Sequence, residues 1–189
     1  MTADVIDRLA GIQPGSRLDR LRERRPDARE HAQRSYEALF CPESEEHVTL
    51  IERDAVAAFV AGLHRDAAVT AFYAERLAEL APGLLTRVEQ EIGTGLTTGP
   101  YGAYDEPELA AESTVGPVHR AKLDGRLAAA FDHAHLLVFR PREARAEHLQ
   151  TLLDAGWSTT GIVTLSQLVA FLTFQIRVIT GLRLLGAAA

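Results

Sequence analysis

The sequence predicts an all-α protein, a multi-helical domain with an N-terminal helical arm. Three observations carry this. Apolar residues recur at helical spacing, as in Val56, Phe59, Val60 and Leu63. Helix-start signals stand where such stripes begin, the clearest being Thr49-Leu50-Ile51-Glu52, a capping box in which Thr49 caps the first turn and Glu52 reaches back. No alternating strand pattern, internal repeat or low-complexity tract is present.

The bulk numbers fit that class. With 189 residues, 47% hydrophobic and 24% charged, the chain is one globular domain or one domain with an added arm. A domain of this size hides roughly 70% of its unfolded surface. The net charge of −6 offers no global field for nucleic acid or an anionic membrane, so neither is expected as a partner. A single cysteine, Cys41, excludes an intrachain disulfide and a CxxC redox pair. A reducing cytoplasm is the default compartment. The opening MTADVIDRLAGIQPGS carries Asp4 and Asp7 and no long apolar run, unlike a signal peptide.

Taken in order, residues 1–34 form the arm and residues 35–189 the main domain. In the arm Arg20, Arg22, Arg24 and Arg25 interleave with Asp19, Glu23 and Asp27, which reads as a solvated face rather than a basic patch. A helix over 27–40 carries Ala28, Ala32, Tyr36, Leu39 and Phe40. The Thr49 helix follows, then DAAVTAFYAERLAEL up to Pro82, then a shorter helix over 84–92. Residues 93–117 lose the hydrophobic period and are rich in Gly, Thr and Pro; they read as a long loop, either functional or a surface excursion. GTGLTTG there lacks the Lys-Ser/Thr ending and the preceding strand of a phosphate loop. Helices are expected over 117–137 and 143–154, and Ser158 caps a last one over 158–185. Residues 162–182 have the length of a membrane span, but Gln167, Gln175 and Arg177 lie within it, and a central Arg costs roughly 2.5–3.5 kcal/mol on insertion. The segment reads as a buried helix of a soluble protein.

Candidate chemistry is sparse. His133 and His135 sit two apart and face different sides of a helix, so they do not readily share a metal, even with Asp132 or His119 recruited. Hydrogen-bonded helix histidines are expected, with no metal and no cofactor. Cys41 lies just after a helix, where the dipole works against a thiolate; a small semi-buried thiol is expected, a one-cysteine peroxidatic role being the alternative. Asp54 and Asp66 are twelve apart with no diagnostic spacing.

Two segments resemble a known superfamily. ERDAVAAFVAGLHRDAAVTAFYAERL (52–77) is similar to the central helical pair of the AhpD-like, carboxymuconolactone decarboxylase (CMD) superfamily, and LDAGWSTTGIVTLSQLVAFLTFQIRVITGL (153–182) resembles its closing helices. HAHLLVFRPREA (133–144) is similar to its peroxidase-related, CMD-domain members. The resemblance covers most of 35–185 and implies an AhpD-like fold that associates with itself, from dimer to hexamer. Redox members carry a glutamate, a CxxC and a histidine. By spacing these fall on Asp54, Asp66, Val69 and Tyr73, so the disulfide cycle lacks both its thiols. What the resemblance implies is a peroxidase-related, alkylhydroperoxidase or antioxidant-type protein without the redox CxxC. The alternatives are a cysteine-independent lyase or isomerase acting on a small organic ligand through Asp54, Asp66 and Tyr73, joined by His64, and a non-catalytic binding or partner subunit. A convergent pocket of those residues favours the lyase; a filled, apolar site favours the binding subunit. Without catalysis Asp54 is a first-turn acid, Asp66 an N-cap and Tyr73 a core aromatic. In the closing helix Gln167 and Gln175 are expected on one face, and Arg177 is a candidate partner for Asp54.

Overall fold

A computed structural model of the protein describes residues 4–188. Among them are nine α-helices and two short 3-10 helices; the only extended pairing is an isolated bridge between Gly102 and Thr114. The all-α expectation holds.

The organising element is α4 (Leu50–Leu63), around which α5 (Ala67–Leu80), α6 (Pro82–Gly95), α7 (Arg126–Phe139) and α9 (Thr159–Ala187) pack. Every residue of α4 from Arg53 to Leu63 is buried. Its sequence explains most of this: from Ala55 to Leu63 the helix is apolar on all sides and must be enclosed, and its many alanines let neighbours approach on each side. Gly62 marks the closest approach, since a Cβ there would sit 2.6 Å from Ile92 Cδ1 of α6. The capping box is formed as read, with Thr49 Oγ1 accepting from Glu52 N and Glu52 Oε2 accepting from Thr49 N.

The arm comprises α1 (Val5–Ala10), α2 (Arg17–Glu23) and the start of α3 (Pro26–Phe40). Its interleaved charges pair among themselves: Arg22 bridges Asp4 and Asp7, and Arg29 bridges Asp7 and Asp19. Val5, Ile6 and Ile12 enter the core, with α1 lying on α9.

Several boundaries differ from expectation. The helix expected over 84–92 runs Pro82–Gly95, because Pro82 takes the first helical position, where no N–H is needed. The helix expected from 117 begins at Arg126. Residues 119–122 are held instead by carboxylates on either side: Ala121 N donates to Asp132 and Lys122 N to Glu91. Gly125, with φ 62°, turns the chain into α7. LLVFRP is helical up to Phe139, and α8 runs Ala146–Asp154 after a 3-10 turn at Pro141–Glu143. The 93–117 region is anchored, Tyr101 N donating to Phe139 O at 2.6 Å.

The last helix, α9, is capped by Ser158 as expected. Among the described residues it is the one helix long and apolar enough to cross a membrane, and half of its most apolar window is buried inside the structure. Leu165, Leu168, Leu172, Ile176 and Ile179 enter the core, whereas Val163, Phe174 and Leu184 stay exposed.

Candidate functional site

Of the positions that the resemblance points to, Asp54 lies on α4, Val69 and Tyr73 on α5, and Asp66 at the N-cap of α5. Asp54 is wholly buried, and Arg76 grips it with two donors, Nε to Oδ1 at 2.8 Å and Nη2 to Oδ2 at 3.3 Å. Burial pushes the Asp54 carboxyl above its usual range, with Arg76 pulling the other way. Burial also weakens the Arg76 charge, but Asp54 outweighs it and the Arg76 pKa rises. The two directions disagree about the pair; the two-pronged geometry decides for an ion pair. Arg76 also lies over the Phe40 ring.

Tyr73 is equally buried, and its hydroxyl donates to Gln175 Oε1 at 2.7 Å. Burial drives its pKa well above the ordinary value, so it is a neutral phenol. Phe40 and Phe72 pack on its ring, with centroids 4.9 and 5.0 Å away. Val69 is buried too.

Asp66 does not join them. Its Oδ1 caps α5 by accepting from Val69 N, and its Oδ2 pairs with Arg183 of α9 at 2.7 Å. Tyr73 lies seven residues, or about 10 Å, further along that helix. His64 is half-buried against Thr173 of α9, Nε2 to Oγ1 at 3.2 Å. Burial, then the Arg177 charge, lowers its pKa.

Three expectations are corrected. Arg177 is exposed and lines an apolar groove with Phe174 and Val178, so Asp54 takes Arg76 instead. Gln175 is buried but Gln167 is exposed, since an eight-residue step leaves them roughly 80° apart around the helix. Cys41 is exposed, not semi-buried; α3 ends at Phe40, whose ring turns into the core, and the next residue faces outward.

A second cluster, which the sequence only hinted at through DHAH, gathers on α6, α7 and the 119–122 segment. His119 meets Asp132 Oδ1 through Nδ1 at 3.0 Å and approaches Glu91 Oε2 through Nε2 at 3.1 Å, this second contact being close but not aligned as a hydrogen bond. His135 stacks on His119 and donates Nε2–H to Gly95 O at 3.0 Å. His133, on another side of α7, meets Ser166 of α9. Burial is the chief cause that takes His133 and His135 each down to about 4, so both are neutral at neutral pH. Glu91 escaped the sequence reading because it lies 28 residues before His119 with no spacing signal. Among the described residues no group of three or more His, Cys, Asp or Glu is arranged to hold a metal ion.

No known family model matches the chain, and no curated protein matches it.

Proposed function

We propose that the chain is a peroxidase-related protein of AhpD/CMD type that works without thiol chemistry, as a cytoplasmic, self-associating binding or partner subunit. The observation that supports this reading is the closure of the motif positions. Asp54 and Tyr73 are 0% exposed and tied to Arg76 and Gln175. A group so enclosed neither meets substrate nor exchanges protons with it. The lyase reading needs Asp54, Asp66 and Tyr73 to open on one pocket; Asp66 is spent on a helix cap and on Arg183. Cys41 is a lone thiol at the C-terminal end of α3, and the sequence holds no second cysteine to resolve a sulfenic acid. Self-association has its natural face on α9, where Val163 and Phe174 are 52% and 49% exposed.

The test is thiol-dependent reduction of an organic hydroperoxide by the full chain beside Cys41→Ala. The expected result is no turnover above the protein-free rate in either. Turnover that disappears in the variant would make Cys41 a peroxidatic cysteine and end the binding-subunit reading.

A further inference from the structure

A cleft of about 450 Å³ lies between the 118–120 segment, α7 and α8, apart from the Asp54–Tyr73 cluster. Nitrogen-bearing side chains dominate its walls: His119, Arg120, His133, Arg140 and His148 face one carboxylate, Asp132. That carboxylate is already engaged, by Ala121 N at 2.8 Å and His119 Nδ1 at 3.0 Å. Arg140 is itself paired with Glu143, so Arg120 is the lining cation with no ion-pair partner among the described residues.

Two of its walls are incomplete. His133 and Arg140 are only 5% and 7% exposed, yet His133 Nδ1 and Arg140 Nε have no hydrogen-bond partner. The chemistry of each follows from its neighbours. Ser166 donates its hydroxyl to Ile162 O at 2.9 Å, so it accepts from His133 Nε2–H at 3.1 Å. A neutral His133 then carries a bare acceptor at Nδ1. Arg140 spends Nη1 on Glu143 at 2.6 Å and keeps Nε–H as an unused donor. Buried polar groups are ordinarily satisfied. An unmet acceptor and an unmet cationic donor in one cleft specify a ligand with an anionic end and a hydrogen-bond donor.

We propose that this cleft binds a small organic hydroxycarboxylate. Its carboxylate lies against Arg140, Arg120 and His148, its hydroxyl donates to His133 Nδ1, and its short carbon body rests on Val118 and Ala129. The assignment rests on the reading of the chain as a binding protein. Orthophosphate has charge enough but lacks an apolar body for Val118 and Ala129, and acetate has no hydroxyl for His133.

The experiment is a titration of the full chain, its histidine rings followed by nitrogen-15 NMR, with L-lactate, acetate, methyl L-lactate and inorganic phosphate. L-Lactate is expected to shift the His133 and His148 rings saturably. Acetate and phosphate are expected to bind at least tenfold more weakly, and the uncharged ester not at all. Arg120 is exposed, so Arg120→Gln keeps the fold and is expected to weaken lactate about tenfold. Equal binding of acetate or phosphate would overturn the hydroxycarboxylate class. Lactate shifts confined to the Arg177 groove, or an unaffected Arg120→Gln, would overturn the cleft while leaving a binding protein. No shift with any probe would overturn the proposal, and hydroperoxide turnover is read separately.

Discussion

At the scale of single residues, the Tyr73–Gln175 pair shows how a wholly buried hydrogen bond ties α5 to α9. The phenol donates to Gln175 Oε1, and Gln175 Nε2 already lacks a partner. A buried polar group that loses its partner is penalised by its whole desolvation, about 1–3 kcal/mol, whereas removing both partners together is nearly neutral. Tyr73→Phe is therefore expected to destabilise the fold by about 1–2 kcal/mol, because it strands the Gln175 amide completely. Gln175→Leu is expected to do the same from the other side, stranding the phenol. The double variant is expected to recover most of the sum, and urea denaturation of all four proteins measures the cycle. Additive losses would mean that the two side chains act independently and that the bond is not what holds them. Asp54 follows the same logic with charge: Arg76 stands 22 residues on, in the next helix, where no local spacing pairs it with Asp54.

At the scale of elements, the N-termini of α4 and α7 meet at one carboxylate, with the start of α9 beside them through Trp157. Glu52 belongs to the first turn of α4, and Arg126 opens α7 and binds it through Nε at 2.6 Å and Nη2 at 2.8 Å. Arg126 also lies over the ring of Trp157, beside the Ser158 cap of α9, and Ser158 Oγ meets His47 Nδ1 at 3.0 Å. Burial raises the Glu52 pKa most strongly of any single influence, but the bonds from Arg126 and Thr49 together hold it below the usual glutamate value. Thr49→Ala removes one cap and is expected to cost about 1 kcal/mol. Glu52→Ala removes the cap and the clamp to α7, and is expected to cost about 2–3 kcal/mol. Thermal or urea melts decide between them; equal losses would show that the Arg126 clamp contributes nothing. This junction also shows what was legible beforehand. The capping box and the Ser158 cap are local signals, readable from four adjacent residues, and both are formed. The Arg126 clamp spans 74 residues and has no local signature. On α9 the signal was present but points the other way: Arg177 lies roughly 200° from Gln175, so once Gln175 is inside, Arg177 must face out. The late start of α7 was illegible for a related reason. The carboxylates of Glu91 and Asp132 capture the backbone of 121–122, and that competition exists only after α6 and α7 have met.

At the scale of the whole molecule, the buried histidines make stability depend on acid. His133 and His135 are each held near pKa 4, by burial first and then by neighbouring charges: His148 for His133, and His119 and Arg140 for His135, where the Gly95 carbonyl and Asp132 work in the opposite sense. The unfolded chain binds these two protons near pH 6.5. Between pH 6.5 and 4 the unfolded state therefore holds more protons than the folded one, and stability falls as pH falls. Above 6.5 neither state is charged and the full stability is present; below 4 both states are charged and the loss is complete. Each histidine contributes a slope of about 1.4 kcal/mol per pH unit inside that window. Glu52, whose folded pKa is lowered, loses its contribution only below about 4.5, so most of the window belongs to the histidines. Urea denaturation at pH 7, 6, 5 and 4.5 is expected to show this steepening. His133→Gln is expected to flatten the slope by about 1.4 kcal/mol per pH unit inside the window, since Gln keeps a donor for Ser166 but cannot titrate. An unchanged slope in that variant would place the acid sensitivity elsewhere in the fold. Acid loosening would begin where α7 packs on α9, because His133 spans that contact through Ser166. The same side chain lines the cleft beside the 118–120 segment, so the residue that makes the fold acid-sensitive also carries an unpartnered Nδ1 there.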